Sequence, residues 1–106
     1  MKPTLRAALD EARQALVALY GDRLVHVILY GSQARGDARE ASDVDVLVVI
    51  RGPLEPVREL KRLAPLRLRL LSRYGEDLSI QPFEEAVYED PDHPLMQAVR
   101  AEGVAL

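Results

Sequence analysis

The chain has 106 residues, enough for one domain that buries about two-thirds of the surface its unfolded form exposes. Hydrophobic residues make up 48% and charged residues 29%, which excludes a disordered tail or a fibre, and the formal net charge of −3 argues against a general nucleic-acid binder. With no cysteine there are no disulfides, no thiolate zinc site and no cysteine nucleophile, and with two histidines any metal has to rest on oxygen ligands.

Leu5, Ala8, Leu9, Ala12, Ala15, Leu16 and Leu19 recur every three or four residues, which predicts an amphipathic helix that starts after Pro3-Thr4 and stops near Gly21 and whose apolar stripe covers a sheet. No apolar run nears the roughly 20 residues that span a bilayer, and Asp10 and Glu11 interrupt the start before a secretory core can form, so a cytoplasmic protein without membrane contact is expected. Arg23 to Tyr30 (RLVHVILY) is nearly continuous in apolar and β-branched residues and predicts a central strand buried on both faces, with His26 as a core histidine and Tyr30 as packing. The turn Gly31-Ser32 follows, then a polar loop or short helical turn to Ser42, then a second strand, Asp43 to Ile50 (DVDVLVVI).

Gly52-Pro53 closes that strand. Val57, Leu60, Ala64, Leu68 and Leu71 then follow helical spacing up to Gly75, with Pro65 expected to kink or split the helix and Arg58, Arg62, Arg69 and Arg73 on another face. Asp77 to Phe83 alternates and predicts a third strand, at a sheet edge beyond Ser79 because Pro82 has no N–H to donate. Leu95 to Ala101 predicts a short helix, and Gly103 to Leu106 a terminal strand. No repeat or linker divides the chain, so residues 1–106 are expected to form a single α/β (α+β) domain, a small mixed sheet of three to four strands packed against helices. Charge is uneven along it: seven basic residues against two acidic from Arg51 to Gly75, then seven acidic residues and no Lys or Arg from Glu76 to Asp92. Such polarity suits docking of a second copy or of another partner.

The chemistry concentrates at Gly31-Ser32, ten residues, then Asp43-Val44-Asp45 opening the next strand. Two residues apart on a strand, Asp43 and Asp45 point to the same face with Cα atoms about 7 Å apart. Like charges that close repel unless cations neutralise them, and hard oxygen ligands beside a phosphate favour magnesium. Gly31 permits close backbone approach, and its N–H with the Ser32 hydroxyl can hold phosphate oxygens. Two carboxylates underfill a metal pair, so a third is expected from the neighbouring strand, where Asp77 is preferred over Glu76 because adjacent strand residues face opposite ways.

Gly31-Ser32-Gln33-Ala34-Arg35-Gly36 followed by Ser42-Asp43-Val44-Asp45-Val46-Leu47-Val48 resembles the motif of the minimal nucleotidyltransferases, small members of the DNA polymerase β-like superfamily. Their pattern is Gly-Ser, ten residues, Asp-x-Asp. The resemblance runs over most of the chain, including an acidic residue near the start of a third strand and the tail from His93-Pro94-Leu95 to Glu102-Gly103-Val104. It implies the nucleotidyltransferase fold, with Asp43, Asp45 and Asp77 binding two magnesium ions and Asp77 helping to deprotonate an acceptor hydroxyl. It also implies that Gly31 and Ser32 hold the triphosphate of ATP, with Arg35 in support, while AMP moves to the hydroxyl and pyrophosphate leaves. The implied partner is a helical HEPN toxin, adenylylated on a tyrosine by this chain as its antitoxin. Two alternatives stay open: a catalytically idle antitoxin that acts by binding, and a small-molecule, aminoglycoside-like nucleotidyltransferase working as a homodimer. Where the family often has an apolar residue before the third acid, this chain has Glu76.

Overall fold

The computed structural model describes residues 1–31 and 44–106. Helix α1 (Pro3–Tyr20) opens on a proline, whose missing N–H is one of those a first turn leaves unpaired anyway. A 3₁₀ turn at Gly21–Arg23 leads into β1 (Leu24–Tyr30). Then come β2 (Val44–Ile50), α2 (Pro56–Tyr74), β3 (Leu78–Glu84), the single-turn α3 (Glu85–Tyr88), α4 (Pro94–Glu102) and the two-residue β4 (Val104–Ala105). The strands form one sheet in the order β3-β2-β1-β4, with β1 antiparallel to both β2 and β4, and β2 parallel to β3. The mixed sheet, its helices and the edge position of β3 agree with the expectation from sequence.

Alternation along β2 assigns its two faces. Val44, Val46, Val48 and Ile50 join Val27, Leu29, Leu78 and Ile80 against α1 and α2, which contribute Leu5, Leu9 and Leu16, and Leu63, Leu66 and Leu70. Leu47 and Val49 point the other way, with Ile28, onto Met96 and Val99 of α4. The sheet therefore carries a thick cover of two long helices on one side and a thin cover of two short ones on the other.

Two expectations need correction. β1 is central, but only Val27, Ile28 and Leu29 are buried, and His26 is exposed, its ring set against Tyr88 with centroids 5.0 Å apart. His26 lies two residues before Ile28 on the thinly covered face, beyond the reach of the buried cluster there. Pro65 does not split α2; the helix runs from Pro56 to Tyr74 because Pro65 sits on its solvent side, where the carbonyl of Lys61 that loses its N–H partner can meet water. The buried row of α2 is Glu59, Leu63, Leu66 and Leu70, while the row of Val57, Leu60, Ala64, Leu68 and Leu71, whose spacing marks the helix in the sequence, is exposed.

Three carboxylates rivet the helical layer. Glu11 of α1 accepts hydrogen bonds from Tyr74 (2.9 Å), Arg73 (2.9 Å) and Arg69 (3.2 Å) of α2, and the Tyr74 hydroxyl, ahead of the arginine charges, holds its carboxyl below the ordinary value. Glu76 accepts from Thr4 at 3.0 Å and pairs with Lys2 at 3.1 Å. Glu59, 2% exposed, accepts from the Tyr20 hydroxyl at 3.0 Å and from Arg62 at 3.4 Å. Burial first, and the Glu59 bond second, push the Tyr20 hydroxyl up to about 12 from 10.0. Tyr20→Phe leaves a buried carboxylate short of a donor and should cost about 1–3 kcal/mol. Because the folded value is raised, that advantage of the wild type is full below pH 10.0 and fades toward about pH 12; denaturant unfolding of both proteins across this window checks it. No helix among the described residues is long and apolar enough to cross a membrane.

Candidate active site

The turn at the end of β1 and the start of β2 meet at one end of the sheet. Antiparallel pairing sets Tyr30 opposite Asp45, so Gly31 leaves the sheet beside that carboxylate. Gly31 has φ +81, a conformation that side chains rarely adopt, and a Cβ placed on it would stand 2.8 Å from Oδ2 of Asp45. Glycine is therefore required twice, by the backbone and by the acid that fills the space a side chain would take. Alternation puts Asp45 on the face of Leu47 and Val49, the thinly covered one, where Tyr30 also packs as expected.

Asp77 arrives from the parallel neighbour. The Val44 N–H donates to the Asp77 carbonyl at 3.2 Å, and the register Val44 to Leu78 and Asp45 to Ser79 sets Asp77 at the level where β2 begins. Its carboxylate is engaged by α2: Arg67 grips it with two N–H donors, Nε to Oδ1 at 2.6 Å and Nη2 to Oδ2 at 3.0 Å. That fork, the hydrogen bonding ahead of the charge, holds the Asp77 carboxyl below its ordinary value. Glu76 is consumed at the start of α1 by Thr4 and Lys2.

Of the residues singled out from sequence, Gly31 and Asp45 are thus brought together, and Asp77 lies beside the start of β2 with its carboxylate on Arg67. Ser32, Arg35 and Asp43 lie outside the described residues. Among the described residues, no three His, Asp or Glu side chains converge on one point. Arg67 is the residue that sequence reasoning missed. The arginines are grouped there by helical face as Arg58, Arg62, Arg69 and Arg73, whereas Arg67 lies at the border of the buried row, where a long side chain can reach past the helix to the next strand. The oxygen donor of Asp45 beside a backbone that a Cβ would obstruct suits a hard cation and the phosphate that accompanies it.

The sequence model of the nucleotidyltransferase domain family matches residues 9–95, from within α1 to the start of α4. A protein of Methanocaldococcus jannaschii named "Putative protein adenylyltransferase MJ1305" is 41% identical over 76 residues, 71% of this chain and 52% of its own, so the chain spans about half the length of that relative. A solved structure described as "putative minimal nucleotidyltransferase" is 30% identical with a TM-score of 0.59, covering 94% of both chains. A complex of tri-AMPylated Shewanella oneidensis HEPN toxin with MNT antitoxin includes a chain with the same fold (TM-score 0.59, 17% identity, 94% of this chain and 69% of that one). The stretch from the apolar stripe of α1 through the Gly31–Asp45 corner to α4 places this chain in the nucleotidyltransferase domain family.

Proposed function

We propose that this domain transfers AMP from ATP to a hydroxyl of a partner protein, with magnesium as cofactor, and that the partner is a HEPN-type toxin for which the chain serves as antitoxin. The observation that carries the reading is the Gly31 backbone closed onto the Asp45 carboxylate, a turn without a side chain beside an oxygen donor. The adenylyltransferase name of the Methanocaldococcus relative supports the reaction, and the AMPylated toxin in the Shewanella complex supports the acceptor.

In this reading Asp45 and Asp43 supply oxygen ligands, and Gly31, Ser32 and Arg35 hold the triphosphate. Magnesium, when bound, supplies positive charge that neutralises the phosphates and polarises the one under attack. The acceptor oxygen bonds to the α-phosphorus, the bond to the bridging oxygen of pyrophosphate breaks, and the hydroxyl proton passes to Asp77. Asp77 is a weak base while Arg67 grips it, because the fork stabilises the charged form that must accept the proton.

That fork is the one observation favouring a second reading, an idle domain that restrains its partner by binding alone. Incubating the protein with a HEPN partner and Mg-ATP, then weighing both chains, separates the two. A mass gain of one or more AMP groups on the partner, with pyrophosphate released, is expected. A stable complex of unchanged mass supports the binding module, and neither outcome removes the proposed partner.

A further inference from the structure

The outer side of α2 is apolar and uncovered. Val57, Leu60, Leu68 and Leu71 are 65%, 53%, 67% and 43% exposed, and with Ala64, also exposed, they form a single row along the helix. The inward row of Leu63, Leu66 and Leu70 already packs on the sheet, so the helix is apolar on two sides. A surface helix normally needs one such face. Four large aliphatic side chains in line, on so small a domain, mark a docking surface.

The spacing within the row indicates what covers it. Leu60 and Leu68 lie four residues to either side of Ala64, and Val57 and Leu71 lie seven residues to either side. A row symmetric about its centre is complementary to its own reverse. When two copies of α2 run antiparallel about a two-fold axis at Ala64, Leu60 meets Leu68 of the other copy and Val57 meets Leu71. Ala64 then meets Ala64, where two methyl groups let the helix axes approach closely.

Charge permits this arrangement. Arg67, on one flank, is already neutralised by its fork on Asp77. Lys61, on the other flank, lies three residues from the axis, so it and its mate are about 9 Å apart along the helices and exposed to solvent. Two facing rows remove on the order of 800 Å² of apolar surface, which with a polar rim reaches the about 1,200 Å² where stable interfaces begin.

We propose that the chain forms a two-fold dimer through the outer faces of α2, packed antiparallel with Ala64 on the axis. The dimer requires nothing of the nucleotide site. Light scattering of the intact chain at micromolar concentration should give twice the chain mass, and Leu68→Glu should halve it while the chain stays folded, with an unfolding midpoint equal to that of the wild type diluted to single copies, since that side chain is exposed in the single copy. The register has its own test, because the chain contains no cysteine. Under mild oxidation Ala64→Cys should link to itself, Val57→Cys should not, and Val57→Cys mixed with Leu71→Cys should. A single-chain mass for the wild type, or Ala64→Cys linking no faster than Val57→Cys alone, overturns the proposal.

Discussion

Asp45→Asn is expected to lower nucleotidyl transfer by on the order of 10³-fold or more in kcat/KM, about 4 kcal/mol of transition-state stabilisation, while the protein stays folded. The amide keeps the shape of the carboxylate and removes its charge, and the charge is what a cation bound to a triphosphate requires. Asp45 sits where β2 enters the sheet, not within either buried cluster, so the apolar packing of both faces survives. Rate and unfolding midpoint measured on the same sample check both halves. A variant that transfers AMP at the wild-type rate would remove Asp45 from the proposed ligand set.

Gly31→Ala should injure stability and transfer together. The positive φ alone costs an alanine about 1–2 kcal/mol. Gly75, at φ +71 with nothing within 4 Å of the Cβ it lacks, isolates that backbone cost, so Gly75→Ala serves as the reference. At Gly31 the added methyl also lands 2.8 Å from Oδ2 of Asp45, and either the strand end or the carboxylate has to shift. A displacement near 1 Å at a reacting centre is worth about 10²-fold in rate. Gly31→Ala should therefore be the less stable of the two and the only one to lose that activity, by denaturant unfolding and by kcat/KM. Equal unfolding midpoints with activity intact in both would mean that the corner has slack and that Asp45 does not depend on it.

What could be read from sequence follows where local periodicity and burial coincide. The α1 stripe, the runs that became β1 and β2, and the edge placement of the strand bearing Pro82 are each set by residues close together in the chain. On α2 the two apolar rows compete, and the purely aliphatic one stands out although it is the outer one. The inner row is disguised by Glu59, which is tolerable in a core only because Tyr20, 39 residues away, donates to it. His26 misleads in the opposite sense: its strand reads as buried, but what lies over that face is a matter of which helices return to it. The Gly31 and Asp45 corner was legible because a glycine before a turn and an acid opening a strand, at fixed spacing, can meet only across an antiparallel pair. The grip of Arg67 on Asp77 was not, because it joins the side chain of a residue within α2 to the residue before β3, a contact that only tertiary packing sets.

The unequal covers of the sheet carry a consequence for how such a domain changes over time. The bulk of its stability resides between β2 and the paired helices α1 and α2, while Asp45 opens onto the opposite side, behind the short α3 and α4. Substitutions around Asp45 need not disturb the main interior, so that end of the sheet can change with little penalty in robustness.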